Sequence, residues 1–216
     1  IRASPGHRAG TACRTAAMSR HIGGILLAAG QSRRFCGNKL LYPLRDGTPM
    51  AVAAARHLLS ALPETTAVVD DGDGEVAGLL GHEGLRLVVN RSASAGIGTS
   101  IACAVAACHD AQGWVIALAD MPYIPARLIR RIVAALQQGC DIVAPVYRHK
   151  RGHPVGFSKR HANALLQLSA DQGARGVIAA NEGRLELIET DEPGVIVDID
   201  SLEDAQAWPA TKTTNN

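Results

Sequence analysis

Short apolar runs bounded by turn-forming residues recur along the 216-residue chain. They alternate with longer stretches in which apolar positions return every three or four residues. The runs predict strands near 23–28, 66–70, 85–89, 114–119, 141–146, 153–157, 184–189 and 194–199. The longer stretches predict helices near 49–61, 73–80, 98–109, 125–138, 158–168, 172–180 and 201–208. Pro125 suits the first turn of the fourth helix, and Gly139 suits its end. Strands alternating with helices of this length predict an α/β fold with a mainly parallel sheet. IGGILLA and WVIALA are apolar throughout, as expected of strands covered on both faces. The expected architecture is therefore Rossmann-like, three layers α/β/α. In such a sheet ligands bind beyond the carboxyl ends of the strands. The loops 29–39, 90–98, 120–123 and 147–153, and the end of the last strand at 198–200, are where chemistry is expected.

Composition narrows the class without naming a reaction. Twenty-two Lys and Arg stand against 20 Asp and Glu, a formal net charge of +2. The basic residues are scattered, which argues against a nucleic-acid-binding face. The densest cluster, Arg148 to Arg151, reads as a solvated loop or as a loop that contacts phosphate. The five cysteines form no Cys-x-x-Cys pair, so a structural zinc site is not expected and a reduced, cytoplasmic setting is. No apolar run approaches the roughly 20 residues that span a bilayer. Residues 1–17 are expected to be an extension without a role in the fold, with Met18 a natural start. Residues 18–209 form one expected domain, and 210–216 a disordered tail.

The first loop, AAGQSRRFCGNK, places Ala28, Ala29 and Gly30 ahead of Arg33, Arg34 and Lys39. Small residues let a ligand approach the backbone, and backbone N–H groups with fixed cations suit a polyphosphate. A flexible loop with solvated cations explains the same residues. Neither a Walker A ending nor Gly-x-Gly-x-x-Gly is present. Asp120 ends a buried strand and precedes Met121-Pro122, so it is either a crevice carboxylate or a turn aspartate. Asp198 and Asp200 stand two apart on a predicted strand and so share a face. One of the two suits a metal and the other structure, with Asp198 favoured for the metal. Gly96 and Gly98 form a turn that feeds a helix, where Thr99 or Ser100 is a plain candidate for a cap. Gly72-x-Gly74-x-x-Ala77 is a weak dinucleotide fingerprint, better read as a tight turn; Asp70 and Asp71 beside it are placed to meet a sugar or base.

Taken together, these segments resemble the nucleotidyltransferases that act on molybdopterin. Leu27, Ala28, Ala29, Gly30, Ser32, Arg34 and Lys39 match the family's Leu-Ala-Ala-Gly-x-Ser-x-Arg-x-Gly-x-x-Lys signature, with Cys36 standing at the usual Gly. Asp120 matches Leu-x-Asp-x-Pro, and Asp198 and Asp200 match a terminal Asp-Ile-Asp. Asn90, Gly96 and Ser100 match a segment that lines the nucleotide. Gly152-His153-Pro154 and Asp171-x-Gly173-Ala174-Arg175 are similar to segments of the cytidylyltransferase branch.

The resemblance implies transfer of CMP from CTP to the terminal phosphate of molybdopterin, with release of pyrophosphate. It implies Arg34, Lys39 and Asp120 as catalytic residues. Leu27, Ala28, Ala29, Gly30, Lys39, Asp71, Asn90, Gly96 and Ser100 become the nucleotide site. Asp120, Asp198 and Asp200 become ligands of Mg²⁺, or of Mn²⁺, and His153 and Arg175 face the acceptor. A molybdenum hydroxylase or its cofactor chaperone is the implied transient partner. The alternatives are a guanylyl or other NTP transferase with a different phosphorylated acceptor, a dinucleotide-dependent oxidoreductase, and a non-catalytic pterin carrier.

Overall fold

The computed structural model describes residues 21–30, 37–200 and 204. Eight strands form one sheet: β1 (Ile22–Leu27), β2 (Thr65–Val69), β3 (Arg86–Val89), β4 (Gly113–Leu118), β5 (Ile142–Tyr147), β6 (Lys150–Arg151), β7 (Val155–Ser158) and β8 (Leu185–Glu189). Among the described residues, six α-helices with resolved bounds accompany them: α1 (Met50–Leu59), α2 (Glu75–His82), α3 (Ile97–Ala107), α4 (Ala126–Gln137), α5 (Ala162–Leu166) and α6 (Arg175–Ala179). The sheet runs β3-β2-β1-β4-β7-β5, with β8 on the far edge of β5. β1, β2, β3 and β4 pair in parallel; β7 runs antiparallel between β4 and β5; β8 pairs with β5 in parallel. The mainly parallel α/β sheet expected from the sequence is therefore present, with a reversed strand inserted in it.

Strand alternation sorts the core into two layers. Leu26 of β1 packs with Ala51, Leu58, Leu80, Leu128 and Ile132, which come from α1, α2 and α4. Its neighbours Ile25 and Leu27 pack with Ile101, Val105, Trp114, Leu165 and Ile178 on the opposite face. Period two on a strand sends successive side chains to opposite faces, so a wholly apolar β1 needs helices on both sides. Close strand contact also selects residue size. A Cβ on Gly24 would lie 2.3 Å from Thr65 Oγ1 across the β1–β2 pair.

Three sequence expectations change. Residues 194–199 are not a strand. Pro193–Ile196 is a turn of 3-10 helix, and the chain continues irregularly to Asp200. Val195 and Ile199 are fully enclosed there without a strand partner, and Ile196 and Val197 are half-buried. The single helix expected over 158–168 is a 3-10 turn at Lys159–His161 followed by the short α5. Pro125 precedes α4 as its N-cap instead of sitting inside the first turn. Gly139 does follow the end of α4, with φ of +107°. The expected helix 201–208 lies outside the described residues except for Asp204, which is helical.

Candidate active site

The strand order reverses direction at β1. The chain steps from β1 to β2 and β3 on one side, then places β4 on the other. Such a switch point opens a crevice beyond the carboxyl ends of the two strands. Ala28 and Ala29 leave β1 there, buried, and Ala28 N–H donates to the Val68 carbonyl at 2.9 Å. Gly30 is exposed at its mouth. Ser32, Arg34 and Cys36 lie outside the described residues.

The chain returns to the crevice with Asn38, whose side-chain oxygen accepts from Leu40 N–H at 3.1 Å and caps the 3-10 turn Lys39–Leu41. Leu40 is buried, which anchors the turn and turns Lys39 toward β4. Lys39 Nζ lies 2.8 Å from Asp120 Oδ2 and 2.7 Å from Asp200 Oδ1. Asp120 follows β4, and the segment carrying Asp200 is tied to it, because Ile199 N–H donates to the Asp120 carbonyl at 3.1 Å. Burial works against the charge on Lys39. Hydrogen bonds to Asp120 and Asp200, and their charges, outweigh it, so this ammonium holds its proton more tightly than an ordinary lysine. Asp198 is exposed.

His153 enters the same end of the sheet from the β6–β7 connection. Its backbone N–H donates to the Val195 carbonyl at 2.7 Å. Its Nδ1 is buried and meets no hydrogen-bond partner among the described residues. An unsatisfied buried polar atom costs about 1–3 kcal/mol, so the ring is held where a ligand can complete it. Burial depresses its proton affinity. The charges of Asp120 and Asp198 push it up, and those of Arg151 and Arg175 push it down. Four charged groups from four parts of the chain thus act on one neutral imidazole. Arg151 is the member sequence reasoning did not assign; the only signal was its place in the basic run 148–151.

The glycine turn serves the protein's own backbone. Gly96 has φ of +130°, and a Cβ there would lie 2.3 Å from the Ala170 carbonyl carbon. Gly98 N–H donates to the Ala170 carbonyl at 2.9 Å. The turn thereby joins the 169–173 loop that leads into Arg175. Asn90 is buried and fixes this corner: its amide donates to Thr99 Oγ1 at 2.9 Å and Ser100 Oγ at 3.0 Å. Neither Thr99 nor Ser100 caps α3, whose N-cap is Gly96. Asp71 closes its own turn, accepting from Asp73 N–H at 3.1 Å, ahead of the Gly74 N-cap of α2. The structure thus brings Lys39, Asp120 and Asp200 into contact and sets His153 among charged neighbours. It ties Asn90, the Gly96 turn and Ser100 together at the start of α3.

Residues 24–185 match the model of the MobA-like NTP transferase domain. The chain belongs to that family. It is 31% identical to the molybdenum cofactor guanylyltransferase of Burkholderia ambifaria over 177 residues, 79% of this chain and 82% of that protein. It is 28% identical to the nicotine blue oxidoreductase of Paenarthrobacter nicotinovorans over 191 residues, 84% of this chain and 93% of that protein. Among solved structures it resembles Rv0371c of Mycobacterium tuberculosis, with a TM-score of 0.76 and 26% identity, over 87% of this chain and 97% of that one. A manganese complex of Rv0371c aligns with a TM-score of 0.73 at 25% identity, over 86% of this chain and 96% of that one.

Among the described residues, no group of three or more His, Cys, Asp or Glu side chains is arranged to hold a metal. What the crevice holds is a pair of carboxylates around one ammonium. Two carboxylates with phosphate oxygens and water are a sufficient oxygen set for Mg²⁺ or Mn²⁺, and the Lys39 ammonium marks the place as one built for positive charge. Among the described residues, no helix is long and apolar enough to cross a membrane.

Proposed function

We propose that this protein transfers a nucleotidyl group from a nucleoside triphosphate to the terminal phosphate of molybdopterin, with CTP as donor. The observation that carries the reading is the convergence of Lys39, Asp120 and Asp200 at the β1–β4 switch point, within a chain of the MobA-like family. A phosphate monoester is already ionised near neutral pH, so one of its oxygens attacks the α-phosphorus directly. The new P–O bond forms as the bond to pyrophosphate breaks. The protein's work is positioning and charge compensation. Ala28, Ala29 and Gly30 offer a bare backbone to the triphosphate, and Lys39 with Arg34 offsets the charge of the leaving pyrophosphate. Asp120 with Asp200, or with Asp198, would hold a divalent cation, which would supply charge compensation and Lewis-acid polarisation to the phosphates. Arg151 and Arg175, whose charges act on His153, suit the acceptor phosphate, with Nδ1 of His153 available to a polar group of the pterin. A molybdenum hydroxylase or its chaperone would receive the product. The unpaired thiols of Cys103, Cys108 and Cys140 suit a reducing, cytoplasmic setting.

CTP is favoured by Leu27-Ala28-Ala29-Gly30 and Gly152-His153-Pro154. GTP is the competing donor, on the strength of relatives named guanylyltransferases. Pyrophosphate release is therefore measured with molybdopterin and Mg²⁺ or Mn²⁺, offering CTP, GTP and ATP in turn. Release with CTP alone, abolished by Asp120→Ala, supports the reading. Release with GTP alone keeps the reaction and replaces the donor. A second reading, a dinucleotide-dependent oxidoreductase, is favoured by the likeness to a protein named nicotine blue oxidoreductase. NAD(P)H oxidation without pyrophosphate release would select it.

A further inference from the structure

The geometry points to Lys39 as the occupant of the metal's place in the nucleotide-free protein, so that metal enters only when a triphosphate draws the ammonium away. This rests on the nucleotidyltransferase reading above.

One nitrogen touches both carboxylates, Asp120 Oδ2 at 2.8 Å and Asp200 Oδ1 at 2.7 Å. Oxygens that share one nitrogen lie close together and, without a cation between them, repel. The Lys39 side chain is 13% exposed, that of Asp120 23% and that of Asp200 47%, so water screens this repulsion only in part. A cation is therefore favoured there, and the chain supplies its own.

Lys39 is also built to leave. Its backbone is fixed by the Asn38 cap and by Tyr42 N–H, which donates to the Lys39 carbonyl at 3.1 Å. The four-carbon stem beyond that anchor is flexible, and its ammonium is a point charge without directional demands. A divalent ion set between the two carboxylates would compete with the ammonium that sits on one oxygen of each. A triphosphate supplies a second anionic partner for Lys39 and extra oxygens for the metal. Metal and nucleotide consequently favour each other's binding, and the coupling is reciprocal. The ammonium offsets one of the two negative charges before the exchange, and a divalent ion would offset both after it.

The test is Mn²⁺ binding to the full chain, followed by loss of the free-ion electron paramagnetic resonance signal. Without nucleotide, wild type is expected to bind Mn²⁺ weakly. Lys39→Met is expected to bind it about tenfold more tightly, the scale of two competing, partly exposed ion pairs removed. Lys39→Gln should match it, which guards against a variant that packs badly, and circular dichroism checks the fold of both. Lys39→Arg keeps the charge and should stay as weak as wild type. Lys39→Met with Asp120→Asn should lose the gain. Water-proton relaxation by protein-bound Mn²⁺ in the presence of CTP gives the second arm, in which Asp120→Asn should lower the signal. If neither neutral variant binds Mn²⁺ more tightly than wild type, while Asp120→Asn still lowers the CTP-dependent signal, Lys39 is no placeholder and the metal site stands. If Asp120→Asn changes nothing with CTP, the metal assignment falls and this inference with it.

Discussion

Asp198 and Asp200 show what one residue of sequence can hide. On a strand they would share a face and be interchangeable candidates, and Asp198 was the sequence-based preference for the metal. The chain there is not a strand, and Ile199 between them is fully enclosed against Met50. Asp200 is turned to Lys39 and stands opposite Asp120, whereas Asp198 is exposed and, among the described residues, acts on the site through its charge on His153. Asp200→Asn is therefore expected to slow pyrophosphate release about a hundredfold, on the scale of losing one preorganised electrostatic contact. Asp198→Asn is expected to slow it by less than about tenfold, the effect of a screened charge. Initial rates at saturating nucleotide decide between them; equal losses would make Asp198 an equal contributor to the reaction. Lys39 and Asp120 were legible as candidates, because a basic residue after the first strand and a carboxylate after a buried one both fall at a crevice. Their contact was not legible, since it depends on strand order and on the path of a segment far along the chain.

At the scale of elements, strands and helices with a strong apolar period are found within a few residues of their expected places. β1, β2, β4, α1, α3 and α4 are the clear cases, each buried against the core. Period fails where burial is achieved without regular pairing, as at 193–200. It also could not show that the turn before α3 exists to admit the 169–173 loop. Gly96→Ala meets both a positive φ and the Ala170 backbone at 2.3 Å, so it is expected to destabilise the protein by about 2–4 kcal/mol. Urea unfolding measures this, and a loss below about 1 kcal/mol would mean the loop yields freely. Two histidines on separate elements give the fold a common acid limb. His153 and His161 both have proton affinities lowered chiefly by burial, from an ordinary value of 6.5. The unfolded chain therefore takes up protons first as pH falls. Their contribution is intact above pH 6.5 and declines below it, until the folded imidazoles also protonate. Thermal midpoints are expected to drop between about pH 7 and 5, before the carboxylates titrate. His161, edge-on to Phe157 with Nε2 buried and unpartnered among the described residues, is the cleanest to replace. His161→Phe should make the drop shallower; an unchanged slope would assign it to other groups.

For the whole molecule, the decisive feature is that the crevice is closed by chain added after the sheet is complete. β8 ends at Glu189, and residues 193–200 then return across the carboxyl ends of β4 and β5. They are seated by tight backbone contact. A Cβ on Gly152 would lie 2.2 Å from the Val195 carbonyl oxygen, and one on Gly194 would lie 2.5 Å from that of Tyr123. Gly152→Ala should therefore lift the returning segment and draw Asp200 off Lys39, although residue 152 touches neither. It also neighbours His153, so a rate loss in Gly152→Ala alone has two possible routes. A double-mutant cycle with Asp200→Asn separates them. If Gly152→Ala acts by displacing Asp200, the double variant should be no slower than Asp200→Asn alone, because the contact is already gone. If it acts through His153 and the acceptor, the two losses should multiply, and the KM for the acceptor should rise with Gly152→Ala whichever residue stands at 200. The displacement route is the expected one. The Val195 carbonyl accepts the His153 N–H at 2.7 Å, and Val195 itself is fully buried, so the returning segment must move as a unit. Its far end is where Ile199 N–H meets the Asp120 carbonyl, and a shift begun at Gly152 ends there, at the carboxylate pair.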